Sequence, residues 1–159
     1  MINDGRKPNK NLKLPRSTTM NEEQTVEKVI HRYAIDVKAF VASGKSFAFT
    51  VRNRRCWQCQ QVLDEMEVVI GDAKEHMKEI ASCCSAKPDY LLPGTPLTEA
   101  VFRLLLANGN KPMTAEEIRD GLGTAWSSVL YMKDLSDELL IKLVESENAY
   151  SIGPIPIKK

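Results

Sequence analysis

The sequence predicts a mainly α-helical protein: an N-terminal helix and a long heptad-patterned helix, then a C-terminal helical domain with a small β-hairpin. Two observations predict it. Aromatic residues are only 6 % of the 159 residues while 43 % are hydrophobic, so the core is mostly aliphatic, which favours packed helices over a β-sandwich. Apolar positions also recur at alternating spacings of three and four through two separate stretches, the signature of a helix face.

Residues 1–19 hold two prolines, few large apolar side chains and no periodicity, and read as a disordered basic tail. A helix is expected from Asn21, which can cap, with Glu22 and Glu23 at the positive end of its dipole. Val26, Ile30, Tyr33, Val37 and Phe40 form its stripe, and Gly44 is its stop. Residues 46–52, SFAFTVR, suit a short strand or an extended crossover. Next, Cys56, Cys59, Leu63, Met66, Ile70, Ala73, Met77, Ile80 and Cys84 follow at alternating steps of three and four. That seam predicts one helix of about 45 Å, packed as a coiled-coil homodimer or against the rest of the chain. Pro88 and the PGTP at residues 93–96 end it. The chain thus divides into the tail 1–19, a helical and dimerising region 20–92, and a domain over 93–159.

In that last domain Leu97 to Ala107 reads as a helix. Thr114 and Glu117 have capping-box spacing, with Met113 and Ile118 at the staple positions, so a short helix starts at Thr114. Gly121 and Gly123 are read as its end. TAWSSVLYMKDLSDELL follows as a third helix, then LIKLV, SENA and YSI as a hairpin. This order of elements, with the run Gly-x-Lys-Pro-Met-Thr, x-Glu-Glu-Ile and Gly-Leu-Gly, resembles a winged helix-turn-helix over residues 97–153. The resemblance implies a third helix in the DNA major groove, presenting Ser127, Ser128, Tyr131 and Lys133, and a hairpin on the backbone.

Charge is uneven along the chain. Residues 1–58 carry 12 basic against 5 acidic side chains, a surplus of seven, whereas residues 95–159 carry 7 against 9. A basic arm is the footprint of a polyanion partner and equally the composition of a solvated tail. Arg52, Arg54 and Arg55 are the candidate phosphate contacts; their alternative role is to pair with the acidic middle segment. The first functional reading is a dimeric DNA-binding transcriptional regulator. The second is a protein-interaction or scaffold module, because the C-terminal domain is net acidic and Asp134, Asp137 and Glu138 would repel phosphate.

The cysteines offer separate chemistry. Cys56-Trp57-Gln58-Cys59 has the spacing of half a zinc site, and Cys83 with Cys84 could supply two further thiolates. One continuous helix would hold the pairs about 40 Å apart, to meet only across an antiparallel dimer. A helix starting after Cys59 permits a folded-back site, with His76 a poorer candidate ligand. The alternatives are four small buried apolar side chains, or a redox sensor with neighbouring arginines lowering a thiol pKa.

Other patterns are weaker. Ser43-Gly44-Lys45-Ser46 resembles a phosphate loop but has Ala39 where the pattern needs glycine, so it reads as a turn. His31 and His76 are the only histidines, and no nucleophilic triad is legible around them; the chain is not expected to be an enzyme. Nothing suits a membrane span, and MINDGRKPNK lacks the apolar stretch of a secretory signal, so the expected compartment is the cytoplasm.

Overall fold

The computed structural model describes residues 29–127 and 135–156. Its elements are β1 (Arg32–Ile35), α1 (Val37–Ala42), α2 (Phe47–Arg52), α3 (Trp57–Glu65), α4 (Ala73–Ser82), a 3-10 turn (Cys84–Ala86), α5 (Leu97–Ala107), β2 (Met113–Thr114), α6 (Ala115–Ala125), α7 (Asp137–Glu145) and β3 (Ile152–Pro154). The protein is mainly helical, as the composition predicts. None of these helices is long and apolar enough to cross a membrane.

The three strands form one antiparallel sheet in the order β2-β1-β3. Arg32 lies opposite Thr114 on one side, and Ile35 lies opposite Ile152 on the other. Two asparagine side chains extend this short sheet. Asn110 accepts the Ile35 N–H at 2.8 Å and donates to the Ile35 carbonyl at 3.0 Å. Asn148 treats Ile152 the same way, at 3.0 and 2.9 Å. Each amide imitates one residue of a neighbouring strand, so backbone groups at the strand margins are satisfied within the chain.

The N-terminal helix expected from Asn21 to Phe40 differs from the structure. Residues 21–28 lie outside the described residues, and from Arg32 the chain is strand. The reason is burial: Tyr33, Ala34 and Ile35 are all buried, three consecutive positions that a one-sided helix cannot hide but a central strand can. Asp36 then starts α1 afresh, its carboxylate accepting from Ala39 N–H at 3.0 Å. Gly44, at φ +87°, terminates α1 as expected. Residues 47–52 are helical rather than extended, because Ser46 caps the Phe49 N–H and the i, i+4 pair Phe47 and Val51 faces the core.

The continuous heptad helix is also corrected: α3 and α4 are separate. Glu67 and Gly71 adopt φ of +60° and +74°, which breaks the helical path, and Asp72 caps α4 by accepting from Lys74 N–H. Arg52 holds the intervening loop, donating from Nε to the Val68 carbonyl at 3.2 Å and from Nη2 to Asp64 at 2.5 Å. Buried His76 bonds the Ile70 carbonyl through Nε2 at 2.6 Å. Of the seam, Leu63 and Ile80 are buried, whereas Met66 and Ile70 are 67 % and 46 % exposed.

In the C-terminal half, α5 spans the residues read from sequence, and the Thr114–Glu117 capping box forms with both reciprocal bonds. Gly121 and Gly123 lie inside α6 instead of ending it. A Cβ at Gly121 would sit 2.9 Å from a Leu104 methyl, so glycine here lets α5 and α6 approach. The third helix and hairpin are redrawn: Ser136 caps α7, and LIKLV continues that helix with Leu140 and Val144 buried one turn apart. No hairpin forms between residues 140–144 and 150–152; β3 pairs with β1 instead. Thr114→Ala is expected to lower stability by about 1 kcal/mol, the usual cost of an N-cap, measurable by urea unfolding of the full chain.

The core runs continuously through both halves. Phe102 of α5 stacks with Phe40 at 6.3 Å and with Tyr150 at 4.5 Å, and the Arg54 guanidinium lies 5.4 Å from its ring centroid. This packing fixes α2 and the segment before α3, and so the approach to the cysteines.

Candidate metal centre

The break between α3 and α4 lets the chain fold back on itself. Cys56 is the extended N-cap of α3, and Cys59 is the third residue of its first turn, so the Cys-x-x-Cys spacing brings both sulfurs to one side. Cys83 ends α4, and its backbone, at φ −128° and ψ −64°, turns the chain into the 3-10 segment that begins with Cys84. The end of α4 thereby meets the start of α3.

All four Sγ atoms lie within 4.8 Å of one another. Cys59 and Cys83 are 3.7 Å apart. A regular tetrahedron with metal–sulfur distances of about 2.3 Å has edges of about 3.8 Å, so the cluster is close to the shape of a tetrathiolate metal site. The cysteines are free thiols, and 3.7 Å is well beyond the roughly 2.05 Å of a disulfide. Among the described residues no other group of three or more His, Cys, Asp or Glu side chains converges in this way.

Cys59 and Cys84 are buried; Cys56 and Cys83 are partly so. Burial pushes the Cys59 thiol upward, and the sulfurs of Cys56, Cys83 and Cys84 around it add to the rise. Cys84 is raised chiefly by burial as well. Burial also opposes ionisation of Cys56, but the Cys59 N–H and the other thiols donate to its sulfur and bring its pKa below the ordinary value. One thiolate is thus favoured and the remainder resist. Only a cation at the centre makes four ionised sulfurs compatible at this separation. The Cys56 N–H, 3.1 Å from the Cys84 sulfur, supplies the kind of backbone donor that supports a thiolate ligand. Glu79, one turn before Cys83, accepts from the Cys59 thiol at 3.4 Å, a neighbour that sequence spacing did not reveal.

His76 takes no part in the cluster. Its second nitrogen, Nδ1, is 3.1 Å from Arg55 Nη1, so the ring braces the α3–α4 loop. The three arginines proposed as phosphate contacts face inward too. Arg52 is 8 % exposed and bound to Asp64, and Arg54 makes two 3.0 Å bonds to Glu99. Arg55 reaches His76, and its buried Nε has no hydrogen-bond partner among the described residues. A phosphate would have to displace Asp64 or Glu99 to engage the first two. Ser127 is exposed just after α6, whereas Ser128, Tyr131 and Lys133 lie outside the described residues. No family model, curated protein or solved structure matches this chain, and the site's own chemistry carries the functional argument.

Proposed function

We propose that this protein is a zinc-stapled binding module whose tetrathiolate centre, Cys56, Cys59, Cys83 and Cys84, fastens the start of α3 to the end of α4. The observation that carries this reading is the convergence of four free sulfurs within 4.8 Å from two pairs far apart in sequence. An all-sulfur, four-ligand set suits zinc, and a site with no open position suits a structural role rather than a catalytic one. The reading as a DNA-binding regulator retains the basic surplus of the N-terminal third. Its arginine arm is engaged inside the fold, so the module reading is favoured.

The test is metal content. Full-length chain purified under reducing conditions is expected to hold one zinc per molecule and to release it to a strong chelator with a fall in melting temperature. A chain that holds no zinc, and whose melting is unchanged by added zinc or chelator, contradicts the proposal.

A further inference from the structure

A cavity of about 440 Å³ lies between α4 and the turn that follows α5. Three ammonium groups border it: Lys74 and Lys78, one turn apart on α4, and Lys111 from the turn. Its apolar surface comes from Met77, Ala81 and Ala107, and among the described residues no acidic side chain lines it.

Among the described residues every ion pair is made by an arginine, and three of the lysines left over line this one cavity. Arg32, Arg52, Arg54, Arg103 and Arg119 each face a carboxylate. Lys74, Lys78 and Lys111 form no ion pair among the described residues. The two sides of the cavity are also fixed in place. Ile80 and His76 bury the inner face of α4, and the turn is set by Gly109 at φ +67° and by Asn110 bound to Ile35. Three like charges around one concave surface raise the local positive potential and favour an anion there.

We propose that this cavity binds the phosphate of a nucleotide, free or within a single strand. The lysines supply the phosphate contacts. The Met77 thioether and the methyl groups of Ala81 and Ala107 offer apolar surface for a base, since methionine sulfur packs well against aromatic rings. The volume falls within the range of about 300–1,000 Å³ of small-molecule sites. This inference rests on α4 and the turn, not on occupancy of the thiolate centre. It also moves the polyanion contact from Arg52, Arg54 and Arg55 to side chains that form no ion pair among the described residues.

The experiment is equilibrium binding of a fluorescent ATP analogue and of a labelled single-stranded oligonucleotide to the full chain across a salt series. The parent is expected to bind at least one probe, more weakly as salt rises. Each phosphate contact on a single strand contributes about 0.7 to the slope of log affinity against log salt, so K74Q/K78Q/K111Q should flatten that slope by about two. It should weaken either probe by roughly tenfold or more near 50 mM salt. Ala81→Glu, which places a carboxylate at an exposed position on that apolar surface, should do the same, and Lys142→Gln on α7 should not. All variants change exposed side chains, so unchanged melting curves confirm that folding is retained. Binding of the strand alone or of ATP alone identifies the source of the phosphate, and either upholds the site. A parent that binds neither probe near 50 mM salt overturns the proposal. So do a triple variant that keeps the parent's affinity and slope, and a Lys142→Gln variant that loses as much as the triple.

Discussion

Cys56→Ser in the full chain is expected to abolish stable zinc retention and with it the response of stability to metal. Cys56 is only partly buried, so serine fits its position without the penalty of a hydroxyl sealed in the core. What is lost is one thiolate of four. Zinc bound to the native state alone stabilises it by about 4 kcal/mol at a free concentration a thousand times its dissociation constant. The parent should therefore melt well above its chelated form, whereas the variant should melt at the chelated parent's temperature with or without zinc. A variant that melts like zinc-loaded parent would remove Cys56 from the ligand set.

Glu99→Ala should produce the second large loss. The Glu99 carboxylate accepts two bonds from Arg54 at 3.0 Å, one from Arg103 at 2.8 Å, and one from the Tyr150 hydroxyl. The side chains of Glu99, Arg54 and Arg103 are 13 %, 20 % and 26 % exposed. Breaking a buried ion pair by removing one partner costs about 3–5 kcal/mol, and this degree of solvent access places the expected value at about 3 kcal/mol. Burial alone would raise the carboxyl pKa, but the donors Arg54, Tyr150 and Arg103 outweigh it and bring it below the usual carboxylate value. A folded pKa below the unfolded one means that the contribution is complete above the unfolded value of about 4.3. It is lost as pH falls through the lower folded value. Parent and Glu99→Gln chains compared by urea unfolding should differ by a constant amount near neutrality and converge in acid. A difference independent of pH would assign the effect to packing of Phe102 and Tyr150 instead.

Local signals in the sequence are the ones that reappear in the structure. The capping box at Thr114 and the span of α5 depend on neighbours within a turn or two, and both form where the residues indicate. The central strand was not legible, because β1 pairs with residues far along the chain while Tyr33 and Phe40 also fit a helical spacing. The heptad seam misled for a related reason. α3 and α4 turn Cys59 and Ile80 toward one core, so the apolar rhythm continues across the break at Glu67 and Gly71. All four candidate ligands are legible in the sequence, but only Cys56-x-x-Cys59 has the spacing of a site by itself. Spacing leaves open whether Cys83 and Cys84 meet that pair within one chain; they do because the break returns α4 to the start of α3. The lysine cavity shows the same division: Lys74 and Lys78 are neighbours on a helix face, and Lys111 joins them through tertiary packing.

The central claim is that four thiolates close around one metal, and X-ray absorption at the zinc edge of the loaded, reduced full chain tests it most directly. The account predicts a first shell of four sulfurs at about 2.3 Å and no light-atom ligand. A shell containing nitrogen or oxygen at about 2.0–2.1 Å, or zinc that washes away before measurement, would contradict it.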